Sequence, residues 1–341
     1  MQKILYLILF CSSFLTAQQF KFAWLTDIHI GYSTAEADLK RSIEDINSSE
    51  DIPFTIISGD ITATGTLAEL TLAKKILDEL KNPYYIIPGN HDTKWSESGC
   101  TDFLKLWGND RFVFEFDKFL FIGLHQGPRM RMADGHWAPE DLRWYDSLIV
   151  SLPNSNQPII FVTHYPIDEE IANWYEMLDR LKNVNTQTVL FGHGHINKIY
   201  DFETIPGIMG RSNLRAHKII GGYTIVEFKS DSIYFSERTP NTETKLWHQH
   251  PLQQRNYEAL IVEQTRPDYS INEKYPEVKS VWEFNSGYTI GSSAVVKDNS
   301  VFVGDASGYF YSLNLSDGSV NWKYKTQNAI YSTPAVKCKS V

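Results

Sequence analysis

Short apolar runs alternate with helix-spaced segments along the first half of the chain, and each apolar run stops at polar residues. Residues 20–26 are apolar and β-prone and end at Asp27-Ile28-His29, after which 34–46 shows helical spacing. Residues 54–58 read as a buried strand stopping at Gly59-Asp60. A helix face follows at Leu67, Leu70, Ala73, Ile76, Leu77 and Leu80, and a third strand, 84–87, ends at Pro88-Gly89-Asn90-His91-Asp92. Next come a β-hairpin (112–116 and 119–124) and a helix over 139–152 with Pro139 in its first turn. Strand 159–162 ends at Thr163-His164, and strand 188–191 at Gly192-His193-Gly194-His195. Beyond Lys198 only short strands are expected, at 198–202, 223–228 and 233–236. The alternation predicts an α/β sandwich, whose ligand site lies beyond the carboxyl ends of its strands. Every Asp, Asn and His at these stops falls there.

The chain has 341 residues, 42% of them hydrophobic, enough for about two cored domains and too apolar for a disordered chain. A net charge of -9 argues against nucleic-acid or anionic-membrane binding by the whole surface, and no nucleic acid is expected as a structural partner. Three cysteines cannot form a disulfide framework. Residues 1–17 have the charge at Lys3 and the short apolar run of a secretory signal, too short for a stable membrane span. The expectation is export, periplasmic or secreted, after cleavage near Ala17.

Asp27, His29, Asp60, Asn90, His164, His193 and His195 are all oxygen or imidazole donors, with no thiolate among them. Such a set suits Mn, Fe, Zn or Co, and seven donors suit two divalent ions sharing one carboxylate. Glycines at 59, 89, 192 and 194 allow the sharp turns that present them. Singly, each motif reads as an ordinary turn; their order, one after each strand, points to a shared site.

In that order the motifs Asp-x-His, Gly-Asp, Gly-Asn-His-Asp, a later His and Gly-His-x-His resemble those of the calcineurin-like metallophosphoesterase superfamily. The resemblance covers roughly residues 20–240. It implies a four-layer α-β-β-α sandwich and hydrolysis of a phosphodiester or phosphomonoester by a metal-bound hydroxide. By position it implies Asp27, His29 and His195 on one metal, Asn90, His164 and His193 on the other, and Asp60 bridging. His91 would protonate the leaving group, with Asp92 orienting it. The ligating Tyr of purple acid phosphatases is replaced by Ala63, so an Fe(III)-tyrosinate centre is not expected. Arg211 and Arg215 are candidates to reach phosphate.

The remainder is a different module. Residues 241–275 read as a polar connector with some strand near 257–262. Within 276–341, Val281-Trp282-Glu283-Phe284 recurs as Asn321-Trp322-Lys323-Tyr324, 40 residues later, with strands at 300–304 and 309–315 between. A period near 40 with short strands and a recurring Trp resembles PQQ-type β-propeller repeats, about one and a half blades of them. The expected organisation is therefore a signal peptide at 1–17, the phosphoesterase domain at 18–240, the connector at 241–275 and an incomplete all-β propeller at 276–341. No PQQ is expected. Such a surface takes a protein or glycan partner, and an alternative reading is a propeller-based binding protein with an inactive phosphoesterase-like domain.

Overall fold

The computed structural model describes residues 19–127, 135–154, 156–215, 220–255, 257, 266–268 and 270–337. The signal segment, Cys338, His217 and most of the strand expected near 257–262 lie outside the described residues.

Along the chain run β1 (Phe20–Leu25), α1 (Ala35–Asn47), β2 (Thr55–Ser58), α2 (Leu67–Leu77), β3 (Tyr84–Ile87), α3 (Asn90–Thr93) and α4 (Thr101–Trp107). They are followed by β4 (Phe112–Phe116), β5 (Phe119–Gly123), α5 (Pro139–Ser151), β6 (Ile159–Val162), α6 (Trp174–Lys182), β7 (Thr186–Phe191), β8 (Lys198–Phe202) and β9 (Ile205–Met209). Then come β10 (Tyr223–Lys229), β11 (Ser232–Thr239), β12 (Glu243–Pro251), β13 (Val295–Lys297), β14 (Ser300–Gly304), β15 (Tyr309–Asn314) and β16 (Val320–Lys325).

Two six-stranded sheets form the body, in the orders β12-β11-β10-β1-β2-β3 and β4-β5-β6-β7-β9-β8. Strands β1, β2 and β3 are parallel, as are β5, β6, β7 and β9, while the flanking strands are antiparallel. Three apolar cores define four layers. Phe22, Trp24, Phe54, Phe121, Leu190 and Phe228 fill the space between the sheets. Leu39, Ile43, Leu70 and Ala73 from α1 and α2 cover the outer face of the first sheet. Leu142, Tyr145, Met177 and Leu181 from α5 and α6 cover the second. Local chemistry fixes the helix starts: Thr66 and Glu69 form a reciprocal capping box on α2, and Pro139 opens α5.

Two findings revise the sequence reading. The amphipathic helix α6 was not anticipated, and the segment read as connector begins with β12, which pairs antiparallel with β11 along most of its length. Alternation in β12 is obscured by a bulge at its own Trp247, which is left without a partner between the Phe235–His248 and Ser236–Leu246 pairs, and Trp247 and His248 are both half-buried. The first sheet therefore extends past residue 240. Near the C-terminus β13-β14-β15-β16 make a separate four-stranded antiparallel meander around Val301, Val303, Tyr311 and Leu313. Among the described residues no helix is long and apolar enough to cross a membrane.

Candidate metal centre

Parallel strands from both sheets release their chains at one end of the sandwich. There β1 delivers Asp27 and His29, β2 Asp60, β3 Asn90, β6 His164, and β7 His193 and His195. Asp27, His29, Asp60, His193 and His195 all have positive φ, between 52° and 70°. That backbone region costs a non-glycine residue about 1–3 kcal/mol, and its concentration on the candidate donors is a signature of a functional site. Two glycines are required by crowding. A Cβ on Gly89 would come within 2.3 Å of the Asp60 backbone nitrogen and Oδ1, and one on Gly192 within 2.5 Å of Asp27 Oδ2.

The donors converge as interlocking groups, Asp27–His29–His195, His29–Asp60–His91 and Asp60–His164–His193, with the donor atoms of each within 4.8 Å of one another. In the first, Nε2 of His195 is 3.3 Å from Asp27 Oδ1 and 3.1 Å from Nε2 of His29. On the other side, Asn90 Oδ1 lies 3.1 Å from both His164 Nε2 and His193 Nδ1. Asp60 stands between the two sets, its Oδ2 3.9 Å from His29 Nε2 and 3.2 Å from His164 Nε2. Its other oxygen accepts the backbone N–H of His91 at 2.8 Å.

Electrostatics favours a cation at this place. Burial alone would raise the Asp27 and Asp60 carboxyls, yet the bond from His195 to Asp27 and the charge of His164 beside Asp60 hold both below the usual carboxylate range. Burial would lower His164, but the charge of Asp60, the bond to it and the charge of Asp27 raise it to about 9. His195 is raised chiefly by its bond to Asp27. Burial and the neighbouring His164 push His193 down to about 4. Two fully buried carboxylates thus draw positive charge onto the imidazoles around them. A divalent ion bound here would supply that charge in place of those protons, and the oxygen and imidazole donors fit Mn, Fe, Zn or Co.

The expected pairing of Asp92 with His91 is not what the structure holds. Asp92 is fully buried, and its carboxylate accepts from Ile61 N–H (3.0 Å), Thr62 N–H (2.9 Å), Thr62 Oγ1 (2.6 Å) and Gly89 N–H (2.8 Å). Burial and the Asp60 charge push its carboxyl up to about 6 against those donors. His91 instead bonds through Nδ1 to the carbonyl of Ala63 at 2.6 Å. A carbonyl only accepts, so Nδ1 carries a proton and Nε2 faces the cluster, 4.0 Å from Asp60 Oδ2. Arg211 and Arg215 are also committed elsewhere. Arg211 is buried against Glu237 at 3.0 Å, and Arg215 makes three bonds to Asp38, two from its guanidinium and one from its backbone N–H. His125 is held by Asp110 at 3.3 Å.

Sequence reasoning passed over the residues that back the donors. Tyr165 packs on His193 with ring centroids 4.4 Å apart, and Glu170 Oε2 is 3.9 Å from His193 Nε2. Gln126 bonds the backbone at His164 and Tyr165. It stands just past the end of β5, the same polar-after-strand signal that marked the donors.

The sequence model of the calcineurin-like phosphoesterase family matches residues 20–197. The chain is 27% identical over 157 residues to a probable glycerophosphodiester phosphodiesterase of Arcobacter nitrofigilis, covering 43% of this chain and 57% of that protein. It is 26% identical over 196 residues to a 3',5'-cyclic-nucleotide phosphodiesterase of Nostoc, covering 51% of this chain and 70% of the relative. The match thus spans 57% of the length of the Arcobacter protein and 70% of the Nostoc one. Among solved structures, a dimetal phosphatase from Danio rerio shares the fold with a TM-score of 0.53 at 12% identity, over 69% of this chain and 99% of that one.

Proposed function

The chain belongs to the calcineurin-like phosphoesterase family, and from that premise we propose that it is a metal-dependent phosphoric ester hydrolase using two divalent ions, with a phosphodiester as the favoured substrate. The observation that carries the two-ion reading is the pair of donor groups joined by Asp60. Asp27, His29 and His195 would hold one ion, Asn90, His164 and His193 the other, and Asp60 both. Bound ions of this kind supply an activated water and the positive charge that a phosphoryl centre needs. His91 does the proton work: with Nδ1 fixed on Ala63, protonated Nε2 donates to the departing oxygen. Asp92 holds the Asp60 loop against the Asn90 loop. The diester preference is supported by the names of the two relatives, both phosphodiesterases.

Export after cleavage near Ala17 belongs to the same reading, resting on the pattern of residues 1–17. The C-terminal meander is a propeller-type blade, supported by four antiparallel strands and the 40-residue recurrence of Trp282 at Trp322. It serves as a binding or scaffolding surface for a protein or glycan. The catalytic domain reaches through β12, with the linker to the blade after it.

The test is hydrolysis of bis-p-nitrophenyl phosphate and p-nitrophenyl phosphate by metal-stripped protein before and after reloading with Mn2+. Metal-restored turnover, faster on the diester, is expected. Two bound ions with no turnover of either ester would instead favour the binding-protein reading.

A further inference from the structure

We propose that Gln126 is a positioning residue that sets the second metal position, the one formed by Asn90, His164 and His193; this rests on the two-ion reading above. The geometry that points to it is a ladder that changes hands. Backbone pairing of β5 with β6 ends where Leu124 N–H donates to Val162 O at 3.0 Å. Beyond that point the chain after β5 diverges and the Gln126 side chain takes over. Its Oε1 accepts His164 N–H at 3.3 Å and Tyr165 N–H at 3.2 Å, and its Nε2 donates to Tyr165 O at 3.1 Å. Gln126 is 1% exposed, and its own backbone carbonyl accepts His136 N–H at 2.8 Å, so the backbone that carries the amide is fixed from behind.

On the other side of His164, its carbonyl accepts Gly192 N–H at 3.1 Å, the residue before His193. Gln126 therefore fixes the peptide from which one donor projects, and that peptide holds the turn carrying another. The first metal position is built differently. Asp27 N–H and His29 N–H donate to the backbone oxygens of Gly59 and Asp60, both at 3.0 Å, and Ser212 Oγ donates to the Asp27 carbonyl at 2.7 Å, with no bond from Gln126 to either residue. His195 of the first position shares the turn with His193, but its carbonyl is tied separately by Ser212 N–H at 3.4 Å, so loss of the Gln126 amide should act chiefly on the second position. Residues that orient metal ligands typically change affinity by 10–100-fold.

The experiment is Mn2+ titration and metal analysis after dialysis, with electron paramagnetic resonance, on the full-length protein and its Gln126→Met and Gln126→Glu variants. Wild type is expected to keep two ions with a spin-coupled signal. Gln126→Met, close in shape but without the amide, should keep one ion, bind the other about 10–100-fold more weakly and show a mononuclear signal. Gln126→Glu keeps the oxygen that accepts from His164 and Tyr165, and should recover the second ion in large part. It also serves as the folded comparison, against Gln126→Asn, if the Met variant does not fold. Two ions of unchanged affinity in Gln126→Met, or equal weakening of both, would overturn the role of Gln126 alone. A wild-type protein that binds no Mn2+ would overturn the two-ion reading and this inference with it.

Discussion

A buried carboxylate that accepts four hydrogen bonds from two loops is a structural clamp before it is anything else. Asp92 joins the Asp60 turn, through Ile61 and Thr62, to the Asn90 turn, through Gly89. Replacing it with Ala leaves four buried donors unpaired, at about 1–3 kcal/mol each before relaxation. Asp92→Ala is therefore expected to lose at least about 3 kcal/mol of stability in urea unfolding of the metal-free protein. Unchanged stability with reduced turnover would restore the orienting role on His91. The donors themselves were legible because each is a polar residue breaking an apolar run at a strand end. The partner of His91 was not, because adjacency in the chain suggested Asp92 while the fold brings the Ala63 carbonyl to Nδ1. Backbone acceptors leave no trace in residue type.

At the scale of elements, legibility followed burial pattern. Strands buried on both faces, such as β2 and β6, stood out as apolar runs between turn residues. Edge strand β12 did not: it is mostly exposed, rich in charged and polar residues, and its alternation is broken by its own bulge at Trp247. Its inward His250 carries a measurable consequence. His250 is 8% exposed, neither ring nitrogen has a hydrogen-bond partner among the described residues, and the ring packs 5.5 Å from Phe235 and 5.8 Å from His248, centroid to centroid. Burial, with the neighbouring charges of His248 and Arg255, pushes His250 down to about 3. The folded state then binds fewer protons than the unfolded chain between that value and an ordinary His pKa of about 6.5. Stability contributed by neutral His250 is present above about pH 6.5 and declines as pH falls, by at most roughly 1.4 kcal/mol per unit. His250→Phe should flatten the stability profile between about pH 4 and 6 relative to wild type. Parallel profiles for the two proteins would show that the ring is hydrated or paired in solution.

For the whole molecule, the decisive question is where the catalytic unit ends, because the blade that follows is a separate four-stranded sheet with its own small core. A boundary at residue 240 cuts between β11 and β12 and opens the sheet edge beside Phe235. Contacts beyond β12 return to the second sheet as well. Gln253 bonds Gln187 through its N–H at 3.1 Å and its carbonyl at 2.9 Å, Arg255 N–H reaches Asn185 at 3.0 Å, and Tyr257 is buried in the core under α5 and α6. Arg266 then pairs with Glu203 of the β8–β9 turn. The blade touches this body more sparingly: Glu140 accepts from Thr289 through its N–H at 3.2 Å and its hydroxyl at 2.9 Å, and Arg143 donates to the Gly287 carbonyl. These few contacts lie on the first turns of α5, the Glu140 pair half-buried and the Arg143 contact exposed. A chain ending after residue 268 should therefore fold, melt within about 5 °C of the full chain and retain metal-dependent turnover. One ending after residue 240 should aggregate or melt far lower, since it loses an edge strand and the buried Tyr257 together. Equal stability of the two shortened chains would mean that β12 is peripheral to the sheet. Loss of turnover by the longer one, still folded and with its metals bound, would place the blade in the active site rather than beside it.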